Sequence, residues 1–258
     1  MWNIIKALNY QTRHDNVTVY SILLGIAMIA TVFIDINLEQ LNGGIFSIGF
    51  GEMIPISVML LGVVLTARIC AWDQSDKTIN YEMLSGHGRK SVFFSRAIVS
   101  LTWCITLTVI LIAVPIITVS VIFGWGEVTE LKGVLLRYAL LLLPIIRMIC
   151  SYIFLSFLTG SFLAGLLSSY LITEAESLVY MALNETTDIR LGCGLGISNM
   201  FELMDFNSRM GFINGKDVYI YDSSLPSDII VKTVVFSLAA SAVYLIGGYI
   251  LFRKRDMK

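Results

Sequence analysis

Three ionisable side chains lie inside long apolar runs of this 258-residue sequence: Arg147, Glu174 and Glu176. A charged group in hydrocarbon is costly, so it faces a bundle interior or a wet cavity and pairs with an opposite charge. We therefore predict that Arg147 pairs with Glu174 or Glu176. Such a pair either belongs to a substrate path or gate, or fixes helix packing. Alternatively, residues 173–182 form a re-entrant segment that leaves Arg147 facing a cavity.

Other reactive side chains show no spacing that would support catalysis or metal binding. The sequence has no Ser/His/Asp set, zinc motif or paired carboxylates, and its two histidines, His14 and His87, stand alone. Four scattered cysteines fit neither a disulfide framework nor a metal site, namely Cys70, Cys104, Cys150 and Cys193. We predict no catalytic residue, no metal site and no cofactor bound by this chain.

A nucleotide site is also excluded by pattern. ATP-binding loops place glycines before a Lys-Ser or Lys-Thr pair, so that backbone N–H groups hold the phosphates. Here Lys90-Ser91 follows Arg89, and the glycines at positions 192, 194 and 196 have no strand before them. Leu84-Ser85-Gly86 therefore indicates the end of a helix rather than part of an ATPase.

Composition identifies the elements that must position these residues. Hydrophobic residues make up 56% of the chain and charged residues 14%, against about 25% charged in soluble domains. Mean hydropathy is +0.78. The apolar residues fall in runs long enough to cross a bilayer as helices. We predict an all-α polytopic membrane protein, a single transmembrane domain over 1–258, with six spans at 17–34, 53–71, 97–123, 135–157, 161–183 and 233–252.

The distribution of Lys and Arg orients these spans. With the N-terminus in the cytoplasm, the short outer loops hold only Lys132 and Arg137. The positive-inside rule then places both termini in the cytoplasm. Residues 1–13 have helical apolar spacing with Trp2 at one edge, which predicts an interfacial helix. Eleven basic residues fall inside: Lys6, Arg13, Arg68, Lys77, Arg89, Lys90, Arg96, Arg253, Lys254, Arg255 and Lys258.

Residues 72–96 form a charged cytoplasmic loop between spans two and three. Asp73, Ser75 or Asp76 can cap a short helix that Gly86 ends. Ile79, Met83 and Leu84 give it an apolar face, which indicates a protein interface rather than a membrane contact. Arg89, Lys90 and Arg96 then anchor the return at the headgroups. The alternative is an ordinary positive-inside loop, since many loops carry such charges.

The long outer segment, 184–231, precedes the last span. Its residues 197–212 have the spacing of an amphipathic helix, which we place on the outer leaflet.

These features together resemble the ABC-2 type permease family, the membrane subunits of bacterial ABC exporters, over essentially the whole chain. The resemblance rests on the amphipathic N-terminus, six spans, and the loop Asp76-Lys77-Thr78-Ile79-Asn80-Tyr81-Glu82-Met83-Leu84-Ser85 followed by Arg89 and Ser95-Arg96-Ala97-Ile98. The tail, Phe252-Arg253-Lys254-Arg255-Asp256-Met257, is similar too. Family loops often read Gly-Thr-Ile, where this chain has Lys77-Thr78-Ile79.

The resemblance implies a permease in the bacterial plasma membrane that works with two separate ATPase subunits, which bind ATP and Mg, and a second permease, identical or a sister chain. Small members export lantibiotics or bacteriocins or give self-immunity, so the implied substrate is an amphipathic peptide or another hydrophobic compound. Membrane lipid is a further partner and nucleic acid is not. The implied ATPase-coupling residues are Asp76, Thr78, Ile79, Tyr81, Glu82, Met83, Leu84 and Gly86.

Two other functions stay open at this stage. A non-transporting membrane sensor or scaffold would use the outer segment to bind its ligand. An intramembrane enzyme is disfavoured, because no span carries a paired catalytic set.

Overall fold

A computed structural model describes residues 1–35, 41–75, 78–186, 196–213 and 216–254. Two antiparallel strands, β1 (Asn207–Ile213) and β2 (Lys216–Asp222), accompany the helices. The described helices are α1 (Trp2–Arg13), α2 (Asn16–Asp35), α3 (Gly43–Ala67), α4 (Asp73–Ser75), α5 (Thr78–Leu84), α6 (Arg89–Phe123), α7 (Leu131–Thr159), α8 (Phe162–Thr186), α9 (Gly196–Met204) and α10 (Ser227–Lys254). We call the end that carries α1 and α5 the inner end, and the end that carries α9 and the strands the outer end.

Five stretches of the described chain are helical, long and apolar enough to cross a membrane: Gly43–Trp72, Arg89–Phe123, Leu131–Thr159, Phe162–Val179 and Ser227–Lys254. The prediction of a helical multi-pass membrane protein is confirmed at this level. The first predicted span falls on α2, whose described apolar stretch, Asn16–Ala27, is shorter than a full crossing. The count of six therefore stays a prediction.

The second span begins earlier than the sequence predicted. Residues 43–51, which precede the predicted span 53–71, are helical, because the Asn42 side chain accepts from the Ile45 N–H at 2.9 Å and caps the helix. The glycines serve close packing: Gly43 lies against Ser120, and Gly51 against Met204. Glycine in a membrane helix lets neighbouring helices approach closely. Composition alone does not distinguish such glycines from the glycines of a turn.

Helix α7 lies at the centre of the bundle. It contacts α3, α6, α8, α9 and α10, and its side chains Leu141, Ile145, Ile149 and Ile153 are fully buried. A helix that is apolar on all sides is a core helix. Because α7 touches every neighbour, a polar side chain on it can join several elements.

The inner end is closed by aromatic rings and by α1. The Phe93 and Phe157 ring centroids lie 4.6 Å apart, and those of Phe157 and Phe252 lie 4.9 Å apart, so α6, α7 and α10 meet here. Helix α1 buries Ile4 and Leu8 against the bundle. A helix was predicted over residues 1–13 and is present at Trp2–Arg13. Its place at the membrane interface stays a prediction.

The outer segment differs from its prediction. The helix predicted over residues 197–212 ends at Met204, and β1 begins at Asn207. In the hairpin Asn207 pairs with Asp222 and Ile213 with Lys216. The sequence carried a signal for it, since Asn214-Gly215 between two strand-compatible runs is the commonest hairpin turn. Those two residues lie outside the described part of the chain.

Candidate functional site

Helix α5 packs at the inner end against α4 and α6. It ends where the Gly86 N–H donates to the Met83 carbonyl at 3.0 Å. Gly86 has φ +90°, in the left-handed region that glycine adopts without strain. The predicted short helix ended by Gly86 is therefore present, over a slightly narrower range.

The predicted apolar face of α5 is split by the fold. Ile79 is buried in the main core, and the half-buried Met83 packs against that core. Leu84 is 82% exposed and Tyr81 is 71% exposed. Ile79 and Met83 are one turn apart and share the stripe that faces the bundle. Ile79 is thus not available to a partner in this arrangement, and the exposed apolar side chains are Tyr81 and Leu84.

Two of the remaining coupling positions cannot be assigned a contact. Asp76 lies outside the described residues. The backbone of Thr78 begins α5, and its side chain is not described.

Arg96 connects α5 to the two spans that flank it. Its side chain is fully buried, and its Nη1 donates to the Ile69 carbonyl at 2.8 Å and to Asp73 Oδ2 at 2.5 Å. Its Nη2 donates to Glu82 Oε1 at 2.7 Å. The prediction that Arg96 anchors the loop at the headgroups is therefore wrong. The planar guanidinium of Arg96 donates to three protein acceptors at once. A side chain that anchors the chain at lipid headgroups would not need them.

Further charges extend this arrangement to the N-terminal helices. Arg68 forms an ion pair with Asp15, and its Nη1 lies 3.9 Å from Asp73 Oδ1. The Arg68 guanidinium also lies 4.8 Å from the Trp72 ring centroid. We call the five residues Asp15, Arg68, Asp73, Arg96 and Glu82, which alternate in sign, the inner charge chain.

The backbone beneath the inner charge chain is irregular. After Ala67, α3 continues through a π-helical turn, Arg68–Trp72, into α4. Single π turns interrupt regular helices mostly at functional positions. The turn brings the Ile69 carbonyl to Arg96, so the irregularity is tied to the charge contacts.

Glu82 titrates differently from an exposed glutamate. Burial raises its pKa above the ordinary value, and the Arg96 charge opposes that shift. Glu82 therefore takes up a proton at a higher pH than an exposed glutamate does. As the pH falls toward that raised pKa, the Glu82 carboxylate becomes a weaker acceptor for Arg96.

A second polar group lies deep in the bundle. Arg147 Nη2 is 4.0 Å from Glu176 Oε2, and the Tyr244 hydroxyl donates to Glu176 Oε1 at 2.9 Å. Arg147 is buried, so this group joins α7, α8 and α10. Of the two predicted partners, the structure brings Glu176 to Arg147. Glu174 is exposed on the other side of α8, which is one continuous helix from Phe162 to Thr186.

Arg137 forms a third site, at the outer end, which the sequence had placed only as a loop charge. Its guanidinium lies 4.3 Å from the Phe206 ring centroid, and it donates to carbonyls of Leu203 (2.9 Å) and Asp205 (2.7 Å). It is buried, so one side chain on α7 holds the end of α9. It also donates to the carbonyls of Asp222, the last residue of β2, and of Ser223 and Ser224, which follow it.

Nothing in these three sites suggests a metal ion. Across the described ranges, no group of three or more His, Cys, Asp or Glu side chains could hold one. Cys70, Cys104 and Cys150 are buried and free.

Comparison with known proteins adds no identification. No protein-family model, no curated protein and no solved structure matches this chain.

Proposed function

We propose that this chain is the membrane-spanning permease subunit of an ATP-driven exporter in the bacterial plasma membrane. Two separate ATPase subunits would bind ATP and Mg and hydrolyse the nucleotide. The chain would move an amphipathic peptide or another hydrophobic compound. A second permease, identical or a sister chain, would complete the path.

The observation that carries this proposal is the build of α5. One side of this seven-residue helix is fixed to the spans by buried Ile79 and by the Glu82–Arg96 hydrogen bond. The other side presents Tyr81 and Leu84 to solvent. Exposed apolar side chains usually mark a contact with a protein partner. Because Ile79 and Glu82 fix the other side of α5, a force applied by that partner would be transmitted to α3 and α6.

The position of α2 supports the six-span part of this proposal. Asp15, just before α2, pairs with Arg68 at the inner end of α3, while Asn42 caps the outer end of α3. Between them, Gly25 of α2 lies against Leu111 and Leu61. Helix α2 thus runs beside α3 from one end to the other, which favours a sixth crossing with both termini on the cytoplasmic side.

Association with an ATPase tests the proposal. The tagged full-length chain is purified from its native membranes, and co-purifying ATP hydrolysis is measured for wild type, Leu84→Asp and Met210→Asp. We expect Leu84→Asp to weaken association by about 2 kcal/mol, or ~30-fold, because it places a carboxylate in an apolar contact. Met210→Asp makes the same kind of change at a 75% exposed outer position and should have no effect.

The proposal fails if no ATPase accompanies the wild-type chain, or if Leu84→Asp retains as much ATPase as Met210→Asp. Loss of ATPase association in both variants would also reject α5 as the contact, because it would show a general effect of an added carboxylate.

A second candidate function is a membrane sensor that binds its ligand at the outer end. It is favoured by a cavity of about 650 Å³ between the hairpin and the α6–α7 connection, lined by Arg209, Glu127 and Glu130 among others. Replacing the hairpin with a short linker should then abolish signalling and leave ATPase association intact. Loss of transport with signalling unchanged would reject the sensor.

A further inference from the structure

An apolar groove lies between the outer halves of α6 and α7. Its volume is about 290 Å³, which is near the lower limit of about 300 Å³ for small-molecule sites. Two of its wall side chains, Ile117 of α6 and Leu135 of α7, are 59% and 58% exposed, so the groove is open at the surface of the bundle. Both helices are long and apolar enough to cross a membrane, and the groove therefore opens toward hydrocarbon rather than water.

The lining of the groove is suited to a hydrocarbon chain. Only its two aromatic side chains carry polar atoms, and both atoms are used within the protein. The Tyr138 hydroxyl donates to the Ser47 carbonyl at 2.6 Å, and Trp125 Nε1 donates to the Thr129 carbonyl at 2.9 Å. All other lining side chains are Ala, Val, Ile or Leu. A polar occupant would lose its hydrogen bonds to water here without replacement, whereas an alkyl chain loses none.

The groove has the depth of one membrane leaflet. It extends from Leu131, the first residue of α7, to Leu142, which corresponds to a rise of about 16 Å along the helix. The hydrocarbon of a whole bilayer is about 30 Å thick, so one leaflet contributes about 15 Å. Trp125 lies at the outer end of the groove, and tryptophan is enriched at the level of the lipid headgroups. The groove thus matches one acyl chain of the outer leaflet in length.

Lys132 places a positive charge at the outer end of the groove. It is exposed, and it lies three and seven residues before Leu135 and Ala139, which are groove residues on the same face of α7. A lysine near the end of a span extends its ammonium group to the headgroup level. Glu127 and Glu130, which precede α7, line the separate cavity beside the hairpin. The charge beside the groove therefore complements the phosphate of a lipid headgroup.

We propose that the groove between α6 and α7 binds one acyl chain of an outer-leaflet phospholipid, with the lipid phosphate at Lys132. The inference goes beyond the proposed permease function, because it requires neither an ATPase nor a transported compound. The bound chain makes dispersion contacts with both helices and fills a space that they leave open.

Native mass spectrometry of the full-length chain tests this proposal. The chain is purified in mild detergent from its own membranes, and wild type is compared with Ala139→Phe, which narrows the groove, and with Ala239→Phe. Ala139 of α7 and Ala239 of α10 are both exposed alanines of long apolar helices, so the two variants are matched. We expect wild type and Ala239→Phe to retain one phospholipid more per chain than Ala139→Phe. Ala113→Phe, which narrows the groove from α6, should behave like Ala139→Phe.

The mass of the retained molecule identifies the occupant. Equal phospholipid retention in Ala139→Phe and Ala239→Phe would overturn the proposal. A peptide found in place of the phospholipid would overturn it as well, and so would a pair of lipid-free chains that Ala139→Phe separates. If phenylalanine in the groove prevents folding, Lys132→Gln provides the test, because it changes an exposed side chain outside the groove.

Lys132→Gln tests the phosphate contact with defined probes. Delipidated wild type and Lys132→Gln are loaded with palmitoyl lysophosphatidylglycerol or with monopalmitin, which has the same acyl chain on glycerol but no phosphate. We expect Lys132→Gln to weaken lysophosphatidylglycerol binding about five-fold, as for one basic residue near lipid headgroups, and to leave monopalmitin binding unchanged. Equal lysophosphatidylglycerol binding by the two chains, or an equal loss with both probes, would overturn the assignment of the phosphate to Lys132.

Discussion

Arg96 shows how one buried side chain can join two spans to a short helix. Its three acceptors come from the π turn after α3, from α4 and from α5. A buried ion group adds little net stability compared with apolar residues of similar size, but removing one partner leaves the others uncompensated. The value of Arg96 therefore lies in fixing the position of α5, as a coupling element would need.

We predict that Arg96→Gln destabilises the chain by about 3–5 kcal/mol, because Asp73 and Glu82 lose their buried partner. Thermal unfolding in detergent measures the effect, and Arg13→Gln, which changes an exposed arginine of α1, should stay within about 0.5 kcal/mol of wild type. Glu82→Gln should cost less than Arg96→Gln, since its amide oxygen can still accept. Equal stability of Arg96→Gln and Arg13→Gln would show that the charge contacts do not hold α5.

At the scale of elements, Arg137 fixes the position of neighbouring elements at the outer end, as Arg96 does at the inner end. Its acceptors are main-chain carbonyls at the end of α9 and after β2, so it fixes backbone rather than side chains. Small hairpins are marginal on their own. The hairpin and α9 thus depend on α7 for their position.

We predict that Arg137→Met, which removes every donor at similar volume, releases the hairpin while the spans stay folded. The loss should be about 3 kcal/mol, since buried carbonyls lose a charged donor. Hydrogen exchange of the β1 and β2 amides should accelerate, and Lys132→Met, at an exposed position on the same helix, should leave it unchanged. Unchanged exchange in Arg137→Met would show that the outer segment holds itself together.

The sequence predicted the long helices and the intramembrane charges better than it predicted contacts between side chains. Apolar length placed the five long helices, and the cost of intramembrane charge pointed Arg147 toward an acidic partner on α8. Pattern could not choose between Glu174 and Glu176, because that choice depends on the rotation of α8 about its axis. Arg96 was predicted to be a headgroup anchor and Arg137 was counted only for topology, since the sequence does not distinguish an exposed loop arginine from a buried one.

At the scale of the whole molecule, the inner charge chain and the Arg137 contacts lie at opposite ends of a bundle whose central helix is α7. The inner charge chain and the Arg137 contacts are separated by the length of a span, with the Arg147–Glu176 group between them. This arrangement gives the bundle rigid ends and one polar group at mid-depth. An exporter could use such a division, with force applied at α5 and substrate met farther along.

The position of α1 makes the predicted topology testable. Trp103 Nε1 donates to Asn9 Oδ1 at 2.7 Å, and Asp15 pairs with Arg68, so α1 lies at the inner end against α6. The test uses chains in which Cys193, in the predicted outer segment, is replaced by serine. If α2 crosses the membrane in the predicted orientation, Tyr10→Cys and Leu84→Cys are both protected from an impermeant maleimide in intact cells, and Met210→Cys is labelled. After permeabilisation all three should react, since all three native side chains are exposed. Labelling of Tyr10→Cys from outside would reduce the crossings to five and place the N-terminus opposite α5. Labelling of Leu84→Cys from outside would instead invert the bundle and remove α5 from the reach of a cytoplasmic ATPase.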